Sequence, residues 1–340
     1  MDTSKRIGLM LINTGSPSAP RTAETRVYLR QFLSDPRVID IAPWARWLLL
    51  NLVILPFRPT KSAHAYQQIW TERGSPLIAN SRDFAEALKP RLDDVAIEIA
   101  MAYGEPSIGA VLRSLVERRV ERIVVAPMFP QYASATFGSL LEGVYKTAAE
   151  LPNVPAITVV RPFYDDPGFL DAWAEVARPE LEEFKPDFVL MSYHGLPERQ
   201  IHKSDPTGQH CLKKTDCCDR FKEANPWCYR AQCLETTKGI AARLGLQPER
   251  FRVTFQSKLG RDPWLTPATD QEVVASAKRG VKRLAIVSPA FVADCLETLE
   301  ELGMRAKEDF LARGGEAFRL VSSLNAHPAW VDAFAGLIGR

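Results

Sequence analysis

The chain is sparing with the residues that most often mark metal and redox sites. Its 340 residues include five His and six Cys, and five of those cysteines crowd one stretch, "HCLKKTDCCDRFKEANPWCYRAQC", from His210 to Cys233. Only Cys295 lies elsewhere. There is no excess of either charge: 43 Lys and Arg against 41 Asp and Glu leave a formal +2, which argues against a nucleic-acid binder. No G-x-G-x-x-G follows a β-rich run and no P-loop lysine motif occurs, so neither a dinucleotide nor ATP is indicated. No apolar run is long and unbroken enough to span a bilayer. The opening "MDTSKRIGLMLINTGSP" has an apolar run that breaks at Asn13, Thr14 and Gly15. That predicts no export and a reducing, cytoplasmic setting, in which a disulfide knot is disfavoured. An odd number of clustered cysteines fits disulfides poorly as well.

What is present is a repeated alternation. Short, nearly unbroken apolar runs occur at "IGLMLIN", "AIEIAMAYG", "RIVVAPMF", "AITVVRPF", "DFVLMSYHG", "FRVTFQS", "RLAIVSPAF" and "AFRLVSSLN". Runs of this kind are typical of buried parallel strands. Helical patterns such as "SIGAVLRSLVERRV" and "DQEVVASAKRGV" separate them. The expected class is α/β, with parallel sheets covered by helices on both faces. An internal echo strengthens this: "SIGAVLRSLVERRVERIVVAPMF" (107–129) and "TDQEVVASAKRGVKRLAIVSPAF" (269–291) share a helix, a basic turn, a strand and a Pro. Two similar Rossmann-like halves of about four strands each follow, a usual domain size. The breakers in "RPFYDDPGF" and "FKPD" set the boundary, giving domains 1–165 and 166–320, with a strand end and last helix at 321–340 expected to pack back on the first half.

Sites in such folds lie beyond the carboxyl ends of the strands. His194 stands at one such end, where an imidazole can act as base, acid or metal ligand; a hydrogen-bonded structural His is the plain alternative. Asp294, Glu297 and Glu301 follow another strand at i, i+3 and i+7, one stripe on an α-helix face. The stripe reads either as a solvated acidic face or as a path for protons or a divalent cation. Tyr132, Phe137, Tyr193 and Trp264, near these turns, read as core or as the wall of a flat apolar pocket. The segment "APWARWLLLNLVILPF" (42–57) reads first as a buried helix, and otherwise as an exposed apolar lip that meets lipid or a greasy ligand.

Taken in order, "LMLINTGSP", "FLSDPRVIDI", "GSPL", "FPQYASATFGS", "SYHGLPER", "FQSKLGRDPWLTP", "SPAFVADCLETLEELG" and "SLNAHPAWVDA" resemble the ferrochelatases, which insert Fe(II) into a porphyrin to make haem. The resemblance spans nearly the whole chain. It implies the chelatase fold, two four-stranded α/β domains with an active-site cleft between them. It implies Fe(II) and protoporphyrin IX as substrates and no nucleotide; coproporphyrin, another tetrapyrrole and metal, or a non-catalytic haem-binding sensor are the alternatives. Carried over by position, His194 and Glu297 match the family's central catalytic and iron-binding pair, and Asp294 and Glu301 its acidic path. Trp264 and Leu265 match the turn near the macrocycle, and Tyr132 and Ile39 match cleft positions. The 42–57 segment matches the cleft lip, which raises peripheral membrane contact. One departure stands out: Cys295 occupies the place of a second His found beside the glutamate in many members.

The cysteine stretch is an insert (208–233) relative to short family members. Its spacing, C-x5-C-C-x9-C-x4-C, lacks the paired knuckles of structural zinc but favours a metal over bare thiols. The resemblance implies a 2Fe–2S cluster held by four thiolates. Cys211, Cys218, Cys228 and Cys233 are the expected ligands, with Cys217 as the alternative to its neighbour Cys218. Lys213, Lys214, Arg220, Lys222 and Arg230 would offset the cluster's negative charge, or simply form a solvated basic loop.

Overall fold

The computed structural model describes residues 7–219, 221, 224–258, 260 and 262–339. Arg220 and Lys222 of the insert, and Leu259 and Arg261 of the "FQSKLGRDPWLTP" stretch, lie outside the described residues.

All eight apolar runs are strands: β1 (Ile7–Gly15), β2 (Val95–Tyr103), β3 (Arg122–Pro127), β4 (Ala156–Val159), β5 (Phe188–His194), β6 (Phe251–Gln256), β7 (Arg283–Val287) and β8 (Ala317–Leu320). They form two parallel sheets of four, ordered β2-β1-β3-β4 and β6-β5-β7-β8. The chain divides into two compact units. The first holds residues 7–129, 134–162 and 334–339; the second holds 130–133 and 163–333.

In the first unit, the helix Ile108–Glu117 starts where the Ser107 hydroxyl accepts from Ala110 N. It turns Ile108, Val111, Leu112 and Leu115 inward, an i, i+3, i+4, i+7 stripe. These pack on Met10, Ile12, Ile123 and Val125 of the sheet. Each such buried side chain contributes roughly 1.5–3 kcal/mol. In the second unit, the helix Pro167–Phe184 is capped by Asp166, whose carboxylate accepts from Gly168 N and Phe169 N. Leu190, Leu284 and Ile286 of β5 and β7 pack with Val273, Leu302 and Phe310.

The two sheets share more than their order. Arg122 pairs with Ala156 as Arg283 pairs with Ala317, and Gly8 pairs with Ile123 as Phe188 pairs with Leu284. That register makes Thr14 the counterpart of His194, and Gly15 the counterpart of Gly195. Both glycines sit where a neighbouring strand's carbonyl crowds the chain. A Cβ on Gly15 would lie 1.8 Å from the Tyr103 oxygen, and one on Gly195 would lie 2.7 Å from the Gln256 oxygen. Gly15 also has φ +107, a conformation that side chains disfavour. Gly15→Ala is therefore expected to lower stability by at least about 2 kcal/mol, read as a lower denaturant midpoint.

The 42–57 segment departs from the buried-helix expectation. It is helical: Pro43–Leu48, a π-helical stretch Leu49–Ile54, then the helix Leu55–Ile69. Leu50, Ile54 and Leu55 are core, but Trp44 (71% exposed), Trp47, Leu52, Val53 and Phe57 (77%) face solvent. The apolar residues are numerous enough to cover more than one face of the helix, so half of them have no core to enter. Among the described residues, no helix is long and apolar enough to cross a membrane.

Candidate active site and cysteine loop

His194 closes β5, the second strand in from the edge of its sheet, so its side chain emerges where the strand ends. Its Nδ1 lies 2.7 Å from the Gly195 carbonyl. A carbonyl only accepts, so Nδ1 carries a proton, and whenever the ring is neutral Nε2 presents its lone pair. The main-chain carbonyl of His194 accepts from the Tyr229 hydroxyl at 2.9 Å, and its ring lies 6.4 Å from that of Phe291.

The acidic segment forms differently from its sequence spacing. A π-helix runs from Glu297 to Ala306, with i→i+5 bonding in place of i→i+4. Glu297 and Glu301 share it, but Asp294 precedes it. The Asp294 carboxylate accepts from the Thr298 hydroxyl at 3.0 Å and from Asn325 Nδ2 at 2.8 Å, while Asn325 Oδ1 accepts from Asp294 N. Both oxygens of Asp294 are thus engaged in holding the approach to the helix. Glu301 accepts from Ser257 N at 2.9 Å and from Ser257 Oγ at 2.5 Å. Burial pushes the Glu301 carboxyl up, against the pull of the Ser257 hydroxyl and the His194 and Arg305 charges; Glu297 adds to the rise. His194 and Glu297 therefore each stand within electrostatic reach of Glu301. The Cys295 thiol is buried and hydrogen-bonds Glu297; burial first, then that carboxylate, push it well up.

Trp264 and Leu265 lie beside the histidine. Leu265 N donates to Leu196 O, Glu198 N donates to Pro263 O, and Trp264 packs against Gly195. The Trp264 indole N–H is buried and meets no acceptor among the described residues, while Leu265 is buried. Tyr132 donates its N–H to Gln232 Oε1 at 2.7 Å and packs 5.1 Å from Trp227. Ile39, in the first unit, is core, packed with Tyr28, Leu33, Leu50 and Tyr103. Tyr193 is fully buried, its hydroxyl 2.8 Å from that of Thr237.

The cysteine loop is organised by Asp205. Its carboxylate accepts from the N–H groups of Thr207, His210 and Cys211 and from the Thr207 hydroxyl. Burial opposes the charge, but those four bonds outweigh it and hold the carboxyl well below the usual range. The Cys217 carbonyl accepts from Asn225 Nδ2 at 2.8 Å and lies 3.0 Å from His210 Nε2. All five thiols are free and buried. Cys228 contacts both Cys211 and Cys218, and Cys217 Sγ lies 3.7 Å from Cys218 Sγ. Arg230 donates to Cys218 Sγ at 3.0 Å. Burial is the main cause that pushes Cys211 up to about 11 and Cys233 well up. Cys217 also lines a pocket of about 200 Å³ with Lys214, Arg230 and Leu265. Among the described residues, no group of three or more His, Cys, Asp or Glu is arranged to hold a single metal ion.

Sequence reasoning missed Gln256, Ser257, Asn325 and Tyr229, which hold the site's elements. The available signal was polarity at the ends of buried runs, as in the "FQS" that closes β6.

The sequence profile of the Ferrochelatase family matches residues 6–340. A ferrochelatase of Azotobacter vinelandii is 47% identical over 330 residues, covering 97% of each chain. One of Stutzerimonas stutzeri is 45% identical over 333 residues, covering 98% of this chain and 97% of the relative. Among solved structures, the sirohydrochlorin chelatase SirB from Bacillus subtilis subspecies spizizenii, in complex with cobalt, matches with a TM-score of 0.56 at 11% identity, covering 98% of this chain and 94% of that one. That likeness speaks for the fold alone. The chain belongs to the ferrochelatase family.

Proposed function

We propose that the chain is a ferrochelatase, a lyase that inserts Fe(II) into protoporphyrin IX to form protohaem, the last step of haem biosynthesis, without a nucleotide. The observation that carries this reading, beyond family membership, is that His194 commits Nδ1 to the Gly195 carbonyl, which leaves Nε2 for chemistry, and that both His194 and Glu297 act on the Glu301 carboxyl. Two pyrrole protons must leave as iron enters. The Nε2 lone pair accepts a proton or binds the iron, and Glu297 serves as its partner in both tasks. Glu301, whose burial favours the protonated form, takes protons onward. Asp294 belongs to the same acidic segment, and its part is to fix the entry to the π-helix that carries the other two. Trp264, Leu265, Tyr132 and Ile39 are assigned to the surroundings of the macrocycle. The test is anaerobic incubation of purified protein with Fe(II) and protoporphyrin, followed by the haem spectrum. Competition with coproporphyrin, and with Co(II) or Ni(II), tests the substrate choice; porphyrin binding without metal insertion would make the protein a sensor instead.

The cysteine loop suits a 2Fe–2S cluster. Five buried thiols free of disulfides lie between residues 211 and 233 and a guanidinium already serves one of them, which is the donor chemistry such an anionic centre needs. Ligands of a two-iron centre are divided between its irons, so a single-ion arrangement is not required. Cys211, Cys218, Cys228 and Cys233 would hold it; Cys218 is preferred to Cys217 because it contacts Cys228 and receives Arg230. When bound, the group supplies a covalent cross-link among four points of the loop and a one-electron centre that metal insertion does not use.

The exposed Trp44, Trp47, Leu52, Val53 and Phe57, with Arg58 and Lys61 following, suit a peripheral lipid contact at the cytoplasmic face. Co-sedimentation with anionic vesicles is expected to fall at least several-fold when Trp44 and Phe57 are both changed to Ser. Equal binding by the variant would end this assignment.

A further inference from the structure

We propose that Gln256 is a positioning residue that sets Glu297 against His194, an inference that rests on the functional reading of those two residues. Gln256 closes β6 and pairs in register with His194 at the end of β5. Its carbonyl accepts from Gly195 N at 2.7 Å, which fixes the turn directly after the histidine. Its side chain, in a residue only 2% exposed, works in two directions. Oε1 accepts from the Ser192 hydroxyl at 2.8 Å. With the oxygen committed there, Nε2 faces the other way and donates to the Glu297 carbonyl at 3.1 Å. Ser192 is itself held in a buried hydroxyl chain with Thr269 and Thr254, at 2.9 Å for each link. The Glu297 carbonyl only accepts, so it fixes which way the amide faces, and the Ser192 hydroxyl beneath supports that orientation by donating to Oε1.

The Glu297 carbonyl opens the π-helix, so one amide grips that helix at the residue whose carboxylate is assigned to the reaction. The next residue grips it again. Ser257 holds Glu301 through its N–H and its hydroxyl, four residues further along the helix. To do this Ser257 adopts φ +66, a left-handed conformation unfavourable for a residue with a side chain. Residues 256 and 257 thus bind the helix at two points from the strand end that pairs with His194. The side chain at 256 must donate at its tip and accept beside it. Glu at this place would set a carboxylate against a carbonyl, and Ala would release the helix start.

The test is steady-state iron insertion by wild type, Gln256→Ala, Gln256→Glu and Ser192→Ala, with melting curves and pH profiles of kcat. Both Gln256 variants are expected to lower kcat about tenfold or more. The KM for porphyrin should stay within about twofold, and the pH profile of kcat should shift. Ser192→Ala, which keeps Gln256 but removes the donor to its Oε1, should lower kcat less, again without changing KM; it also serves if Gln256→Ala fails to fold. Unchanged kcat in these variants would overturn the proposal. So would a kcat loss that merely tracks the folded fraction with an unshifted pH profile. A wild-type protein that inserts no metal would instead overturn the functional reading on which it rests.

Discussion

His194→Ala is expected to lower kcat for iron insertion by about 10²–10⁴, the usual worth of a positioned acid–base group. The structural cost should be small. Among the described residues the ring makes one hydrogen bond, to its neighbour's carbonyl, and the strand is anchored through main-chain groups that the substitution keeps. Melting should therefore stay close to wild type while turnover collapses. The porphyrin KM should change little, since the loss falls on proton transfer and iron placement. Glu297→Gln is expected to be milder, because the amide retains the polar contact and the helix. A His194→Ala protein with full turnover would remove the histidine from the mechanism.

Cys228→Ser is expected to abolish the visible absorption assigned to the cluster and to destabilise the second unit by several kcal/mol, as loss of a structural metal group does. At roughly 3 kcal/mol, the melting temperature would fall by about 6–12 °C. The route to the active site is short. Cys228 is the cap position of the helix Tyr229–Leu244, whose first residue donates its hydroxyl to the His194 carbonyl. Thr237 of the same helix meets the Tyr193 hydroxyl. Loss of the cluster should therefore loosen the strand end under the histidine, and activity should fall together with stability. Cys217→Ser provides the contrast, since the proposed ligand set leaves Cys217 over; it should keep the spectrum, with bleaching by dithionite. A cluster-free protein as stable and active as the loaded one would contradict the assignment. So would Cys217→Ser losing the spectrum while Cys218→Ser keeps it.

The strands were readable because a parallel strand buried on both faces leaves an unbroken β-branched run, as in "RIVVAP" and "RLAIV". His194 was readable for a related reason: one of five histidines stood directly after such a run. The acidic segment was only half readable. Spacing of i, i+3 and i+7 assumes an α-helix, and no residue in "CLETLEELGMRA" announces the wider π turn or the point where it begins. Asp294 therefore looked like a member of a stripe that starts only after it. The 42–57 segment was ambiguous in another way. Its composition states how much apolar surface there is, but not how much of it finds a partner. Gln256 and Asn325 were silent because their roles lie in bonds across long sequence separations, to Glu297 and Asp294.

The matching register of the two sheets implies a division of labour between near-copies. Thr14 and His194 occupy the same place on the same strand, each followed by a glycine. One copy ends that strand with a hydroxyl, which can only donate and accept hydrogen bonds, the other with an imidazole, which can also take up a proton or bind a metal. Substitutions at Thr14 can alter the shape and polarity of its own loop without touching proton chemistry, whereas any change at His194 alters both.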